Sequence, residues 1–105
     1  MEVTFEKEYL LEIFKKGRSY DKKHRFQPEI IRKYIRIIEL MISVPDTYSL
    51  RKFKLLNYEN LKGEKPGLSS VRVNNRYRIE FEELKKENQS IASICNITDL
   101  SNHYQ

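Results

Sequence analysis

The stretch SSVRVNNRYRIEF, residues 69 to 81, constrains this chain more than any other part of it. Val71, Val73, Tyr77, Ile79 and Phe81 are apolar, while Ser70, Arg72, Arg78 and Glu80 are polar, so the run alternates with period two on either side of an asparagine pair. That is the signature of two strands, each with one buried and one wet face, joined by a tight turn. A two-residue connection at Asn74 and Asn75 would set Val73 opposite Arg76 and Val71 opposite Arg78, mixing core and solvent positions on one face. A three-residue connection, Asn74 to Arg76, sets Val73 opposite Tyr77 and Arg72 opposite Arg78. The second register is the one predicted, because slipping it by one residue would bury arginines. It stands two guanidiniums side by side on the open face of the sheet, where like charges repel unless an anion or a carboxylate lies between them. Glu80, Glu82 or Glu83 could be that carboxylate on a merely solvated sheet, and spacing does not choose between that reading and an anion site.

Upstream the periodicity is helical. Val3 to Phe5 reads as a short opening strand, and Lys7 to Lys16 places Leu10, Ile13 and Phe14 at helical spacing before Gly17 stops the run. Arg18 to Phe26 is polar and basic, an exposed loop in which His24 reads as a solvated residue with no partner to tune it. Pro28 suits the first turn of a second helix, whose stripe is Ile31, Tyr34, Ile35, Ile38, Met41 and Ile42. The other face carries Arg32, Lys33, Arg36 and Glu39, more simply a solvated side than a phosphate-binding one. Pro45 and Asp46 end the helix. Phe53, Leu55 and Leu56 suggest a bridging strand or irregular segment, Lys62 to Gly67 a loop, and strands follow at Leu68 to Val73, Tyr77 to Glu83 and Ser90 to Thr98. Connections this short cannot hold crossover helices. The expected fold class is therefore α+β, a small and mainly antiparallel sheet with two N-terminal helices on one face.

Composition sets outer bounds on function. The 105 residues suffice for a single domain, 1–105, with a modest core. No apolar stretch reaches the length of a membrane span, and the acidic residues scattered through the first turns argue against an export signal, so the expected location is cytoplasmic with no membrane partner. Cys95 is the only cysteine, and no Cys/His cluster has zinc-ligand spacing, so neither a metal nor another cofactor is expected. A net charge of +5 and a pI near 9.3 permit a polyanionic partner without requiring one.

The hairpin resembles the strand pair of HigB-like members of the RelE/ParE toxin superfamily, where a Ser-x-Arg-Val-Asn-x-x-x-Arg pattern recurs; here Ser70, Arg72, Val73, Asn74 and Arg78 match it. Leu61-Lys62-Gly63 is similar to the Leu-Lys-Gly that precedes the hairpin in that family, and the order strand, helix, helix, strands is shared. The resemblance implies a RelE-like fold and a type II toxin that enters the ribosomal A site and cleaves messenger RNA. It also implies a cognate antitoxin with a helix-turn-helix domain. Lys62, Arg72 and Arg78 match basic positions that grip RNA around the scissile phosphate, with Arg76 beside them on the turn. Two departures stand out. Many HigB-like toxins carry His-Pro before Leu-Lys-Gly where this chain has Glu59-Asn60, making Glu59 a candidate replacement base. The family often ends in Asp-Tyr-His, whereas this chain ends in ITDLSNHYQ, so Asp99 is a candidate match to the acid and His103 or Tyr104 to the terminal role.

Metal-free RNA cleavage needs a base for the 2′-hydroxyl, an acid for the leaving 5′-oxygen, and cations for the charge growing on the phosphoryl oxygens. Arg72, Arg78 and Lys62 are candidates for the cations, Arg78 foremost, because a planar guanidinium donates two hydrogen bonds to one phosphate. His103 is the natural proton-transfer residue, with Glu59 and Tyr104 as the other candidates; Tyr104 is equally suited to stacking on a base. Two other functions use the same basic face: a ParE-like gyrase poison, which needs no catalytic residues, and a non-enzymatic nucleic-acid-binding module.

Overall fold

The computed structural model describes residues 1–63, 65 and 67–102. In chain order the described elements are β1 (Glu2–Phe5), α1 (Glu8–Lys16), α2 (Pro28–Ser43), α3 (Thr47–Leu50), a 3-10 turn (Lys54–Leu56), β2 (Glu59–Asn60), β3 (Leu68–Arg72), β4 (Arg78–Leu84) and β5 (Ile94–Ser101). Among the described residues the strands make one sheet in the order β1-β5-β4-β3-β2. Three neighbouring pairs are antiparallel; only β1 and β5 run parallel, from Glu2 beside Ile94 to Phe5 beside Ile97. The expected α+β class, mainly antiparallel with helices on one face, is the fold observed.

Local chemistry accounts for the helix ends. Gly17 takes a left-handed φ of 72° and returns its N–H to the Ile13 carbonyl, closing α1 where a side chain would be strained. Pro28 occupies the first turn of α2, where its missing N–H costs nothing. Periodicity does not foretell α3. Its signal is the cap, since Asp46 accepts the Ser49 N–H at 2.8 Å.

The core lies between the sheet and α1 and α2. Tyr9, Leu10 and Ile13 enter it from α1, and Ile30, Tyr34, Ile38 and Met41 from α2, against Val71, Ile79, Phe81, Cys95 and Ile97. The buried stripe of α2 is turned slightly from the expected one. Ile30 is inside and Ile42 is 46% exposed. Tyr34 is fully buried, and its hydroxyl donates to the Leu10 carbonyl at 2.7 Å, tying α2 to α1 while satisfying its polar tip. Burial pushes the Cys95 thiol up to about 12, so it behaves as a small core hydrophobe.

The predicted last strand, Ser90 to Thr98, is shifted. Gln89 and Ser93 bond each other through their side chains in the turn, and pairing begins only at Ile94 and extends to Ser101. A register irregularity beside Glu80 and Phe81 lets Ile97 and Leu100, three residues apart, pair with Phe81 and Ile79 of β4.

Candidate active site

The hairpin adopts the three-residue connection. Val73 N–H donates to the Tyr77 carbonyl at 2.9 Å, and Arg72 is the direct partner of Arg78. The Asn74 side chain fixes the turn by accepting the Arg76 and Tyr77 N–H groups at 2.9 and 2.8 Å. Cross-strand partners share a face, so the pairing across β2, β3 and β4 places Glu59, Ser70 and Glu80 in one row and Arg72 and Arg78 in the next, away from the helices.

That face is not open at Arg78, which corrects the expectation of two solvated guanidiniums. The Arg78 residue is only 5% exposed. Its Nε donates to Ser70 Oγ at 2.8 Å, and its Nη2 donates to the Ser70 carbonyl at 3.3 Å and to the Asn57 carbonyl. Asn57 reaches it because the 3-10 turn ends with Asn57 at φ 45°, a left-handed conformation that asparagine tolerates. The same turn carries the chain into β2, so that Glu59 Oε2 lies 3.9 Å from Arg78 Nη2. Glu59 itself is half exposed. The carboxylate therefore meets solvent while the cation beside it is held rigidly from behind.

The three acids expected to neutralise the arginines have other described partners. Glu80 is 2% exposed and takes Lys65 Nζ at 2.9 Å on both oxygens. Glu82 accepts the Asn96 amide at 3.0 Å. Glu83 lies on the helix side, accepting the Ser69 hydroxyl at 2.7 Å with Arg51 3.4 Å away. Burial alone would push the Glu83 carboxyl up. The Tyr58 and Ser69 hydroxyls and the Arg51 charge outweigh it and hold it below the usual range.

The remaining candidates sit around this pair. Arg72 is exposed, its guanidinium bonded to the Asn75 side chain. Arg76 and Lys62 are exposed, on the hairpin turn and on the β2–β3 connection, and neither side chain has a hydrogen bond or ion pair among the described residues. His103 and Tyr104 lie outside the described residues. Asp99 accepts the Tyr9 hydroxyl at 3.1 Å, and burial together with the Asp99 charge pushes the Tyr9 phenol well up.

His24 corrects a second expectation. It is not a solitary loop histidine. Its ring stacks on Tyr9 with centroids 3.7 Å apart, and its Nδ1 lies 2.9 Å from Asp21, whose carboxyl is drawn down by that contact and by the Lys23 N–H. Nothing in the spacing of the loop foretells this stack, which depends on how α1 packs.

The fold itself has counterparts among solved structures. A YafQ mutant from E. coli superposes with a TM-score of 0.60 at 12% identity, over 97% of this chain and 92% of that one. The YoeB-YefM complex from Staphylococcus aureus gives 0.57 at 21% identity, over 99% and 98%. A YoeB/ParE toxin from Agrobacterium tumefaciens gives 0.51 at 14%, over 99% and 100%. This chain shares the fold of these YafQ and YoeB structures. No family model and no curated protein sequence matches it. On this fold, the Glu59 and Arg78 pair belongs to the face of the sheet turned away from the helices, at the strands β2 and β4. No helix among the described residues is long and apolar enough to cross a membrane.

Proposed function

We propose that this protein is a HigB/RelE-like toxin of a type II toxin-antitoxin module, cutting messenger RNA on the ribosome without a metal ion. The observation that carries the reading is the pairing of a half-exposed Glu59 carboxylate with a buried Arg78 guanidinium, held by Ser70 and Asn57, at 3.9 Å. An acceptor for a proton and a fixed cation for an oxyanion are what an RNA transesterification asks of a protein.

In the proposed reaction Glu59 takes the proton of the 2′-hydroxyl as that oxygen forms a bond to phosphorus. The bond from phosphorus to the 5′-oxygen breaks, and His103 or Tyr104 protonates the leaving oxygen. The products are a 2′,3′-cyclic phosphate and a 5′-hydroxyl end. Arg78 holds the charge on the phosphoryl oxygens in the transition state, with Arg72, Arg76 and Lys62 guiding the RNA backbone. Because Ser70 and Asn57 already fix the guanidinium, little reorganisation remains at the moment of reaction. The position filled by histidine in many HigB-like toxins is filled here by Glu59, which supplies the base.

A cytoplasmic location and a helix-turn-helix antitoxin belong to the same proposal; the structural counterpart solved as a YoeB-YefM complex supports a protein partner for this fold. A gyrase poison would have no use for the Glu59 and Arg78 pairing, which favours the nuclease. The test is to add the purified protein to ribosomes programmed with a defined message and map the cuts, with Arg78→Ala in parallel. Cuts by the wild type and none by the variant are expected; an intact message with the wild type sinks the reading, and inhibition of gyrase supercoiling instead would establish the alternative.

A further inference from the structure

Glu59 stands on a strand of two residues at the edge of the sheet, where neighbours on one side only hold the backbone. A reacting group displaced by about 1 Å can lose about 10² in rate, so whatever steadies β2 matters to the chemistry. Besides its backbone pairing with β3, β2 is held through the two residues that flank Glu59. Alternation sends Tyr58 and Asn60 to the helix side while Glu59 faces away from it. Both lead to the same carboxylate, Glu83 of β4.

The tie to Asn60 runs through Ser69, its cross-strand partner. The Ser69 hydroxyl donates its single proton to Glu83 at 2.7 Å, and its oxygen lies 3.2 Å from the Asn60 side-chain amide, which can return an N–H to it. The tie to Tyr58 runs through Arg51. Its guanidinium lies over the Tyr58 ring, 4.5 Å from the centroid, and its Nη2 is 3.4 and 3.5 Å from the two Glu83 oxygens. Phe81 meets the same ring edge-on with centroids 5.7 Å apart. Burial and the neighbouring Glu83 carboxylate push the Tyr58 phenol well up, which keeps its hydroxyl protonated. Arg51 is also the C-cap of α3, so the short helix that Asp46 caps braces this network from outside the sheet.

We infer that Glu83, Ser69 and Arg51 are positioning residues for Glu59: through Asn60 and Tyr58 they fix β2 so that the Glu59 carboxylate meets its substrate beside Arg78. The inference rests on the proposed function and adds to it a layer of groups on the other side of the sheet from the reacting atoms. Ser70 and Asn57 steady the cation, and this network steadies the base.

Ser69→Ala/Glu83→Gln loosens both ties, and Arg51→Gln, at an exposed position, loosens one. In a first arm, without RNA, amide hydrogen exchange is followed at Leu61, whose N–H donates to the Leu68 carbonyl at 2.8 Å, and along β5. The Leu61 amide exchanges about tenfold faster in the double variant and by a smaller factor in Arg51→Gln, with β5 unchanged. A Leu61 amide as well protected in both variants as in the wild type overturns the inference. In a second arm, single-turnover cleavage on programmed ribosomes is measured with and without Glu59→Gln. Alone, Ser69→Ala/Glu83→Gln lowers the cleavage rate by about 10- to 100-fold and leaves the half-saturating concentration within about twofold. On top of Glu59→Gln, the same substitutions change the rate by less than about twofold, because there is no base left to misplace. Equal losses in the two backgrounds overturn the inference, since the network then supports the fold and not the base. A wild type that leaves the message intact overturns the proposed function, and the exchange arm still reports whether Glu83 holds β2, so the two failures are told apart.

Discussion

Arg72 and Arg78 are direct cross-strand partners, yet the first is exposed and the second is sealed beneath the chain at Asn57. The pair is therefore asymmetric: one guanidinium stands in solvent beside Asn75 and the other is held from behind by Ser70 and Asn57.

Immobility makes Arg78 costly to remove. Arg78→Ala leaves the Ser70 hydroxyl and the Asn57 carbonyl without their donor in a covered site, and it should lower stability by about 2–3 kcal/mol. Catalysis should fall by about 10² to 10³. Arg78→Lys keeps the charge but not the fork, and falls between. Urea denaturation midpoints and single-turnover cleavage, measured on the same preparations, check both.

Glu59 should behave in the opposite way. Half exposed and 3.9 Å from its partner, it contributes about 0–1 kcal/mol to stability, so Glu59→Gln should leave the denaturation midpoint nearly unchanged. If it is the base, cleavage drops by about 10² to 10⁴. Full activity in a folded Glu59→Gln protein would remove it from the mechanism.

The Lys65 and Glu80 pair tests the covering of this face. Lys65→Met removes one ammonium from a carboxylate that is 2% exposed, and should destabilise by about 1–3 kcal/mol. Adding Glu80→Gln should restore part of that loss, because the group left behind is then neutral. An equal effect of Lys65→Met in the wild type and in Glu80→Gln, read by thermal unfolding, would show that the pair is not coupled.

Acid should act through Glu83. Its carboxyl titrates below its unfolded value, so it contributes stability above the unfolded pKa of about 4.3 and loses it as the pH falls through the lower folded value. Wild type should thus lose stability faster than Glu83→Gln on acidification below about pH 4.3, with the two curves parallel near neutrality. Denaturation midpoints across that range decide it.

Much of this architecture is legible in the residues. The alternation in residues 69 to 81 specifies strands, faces and register together, because burying Arg72 or Arg78 among the helices is the only other choice. What it could not reveal is the cover over Arg78. That depends on one left-handed asparagine, Asn57, in a segment whose hydrophobic pattern is too short to have a period. The His24 stack on Tyr9 is hidden for a similar reason: it joins a loop to a helix through tertiary packing, which leaves no trace in local spacing. Glu59 is visible as a candidate base, and the two-residue strand that presents it is not, since Glu59 and Asn60 are ordinary loop residues until Ser70 and Ser69 pair with them.

The parallel pairing of β1 with β5 has a temporal meaning. As the chain leaves the ribosome, β1 emerges well before β5 and has no strand to join until Ile94 to Ile97 follow. β4 likewise waits for β5 on one side. The sheet can therefore close only after β5 has been made, through a pairing of β1 and β5 that is long-range and therefore slow. A chain interrupted before β5 has its hairpin and helices but no strand joining β4 to β1, so the sheet that backs the hairpin is incomplete until Ile94 to Ser101 are in place.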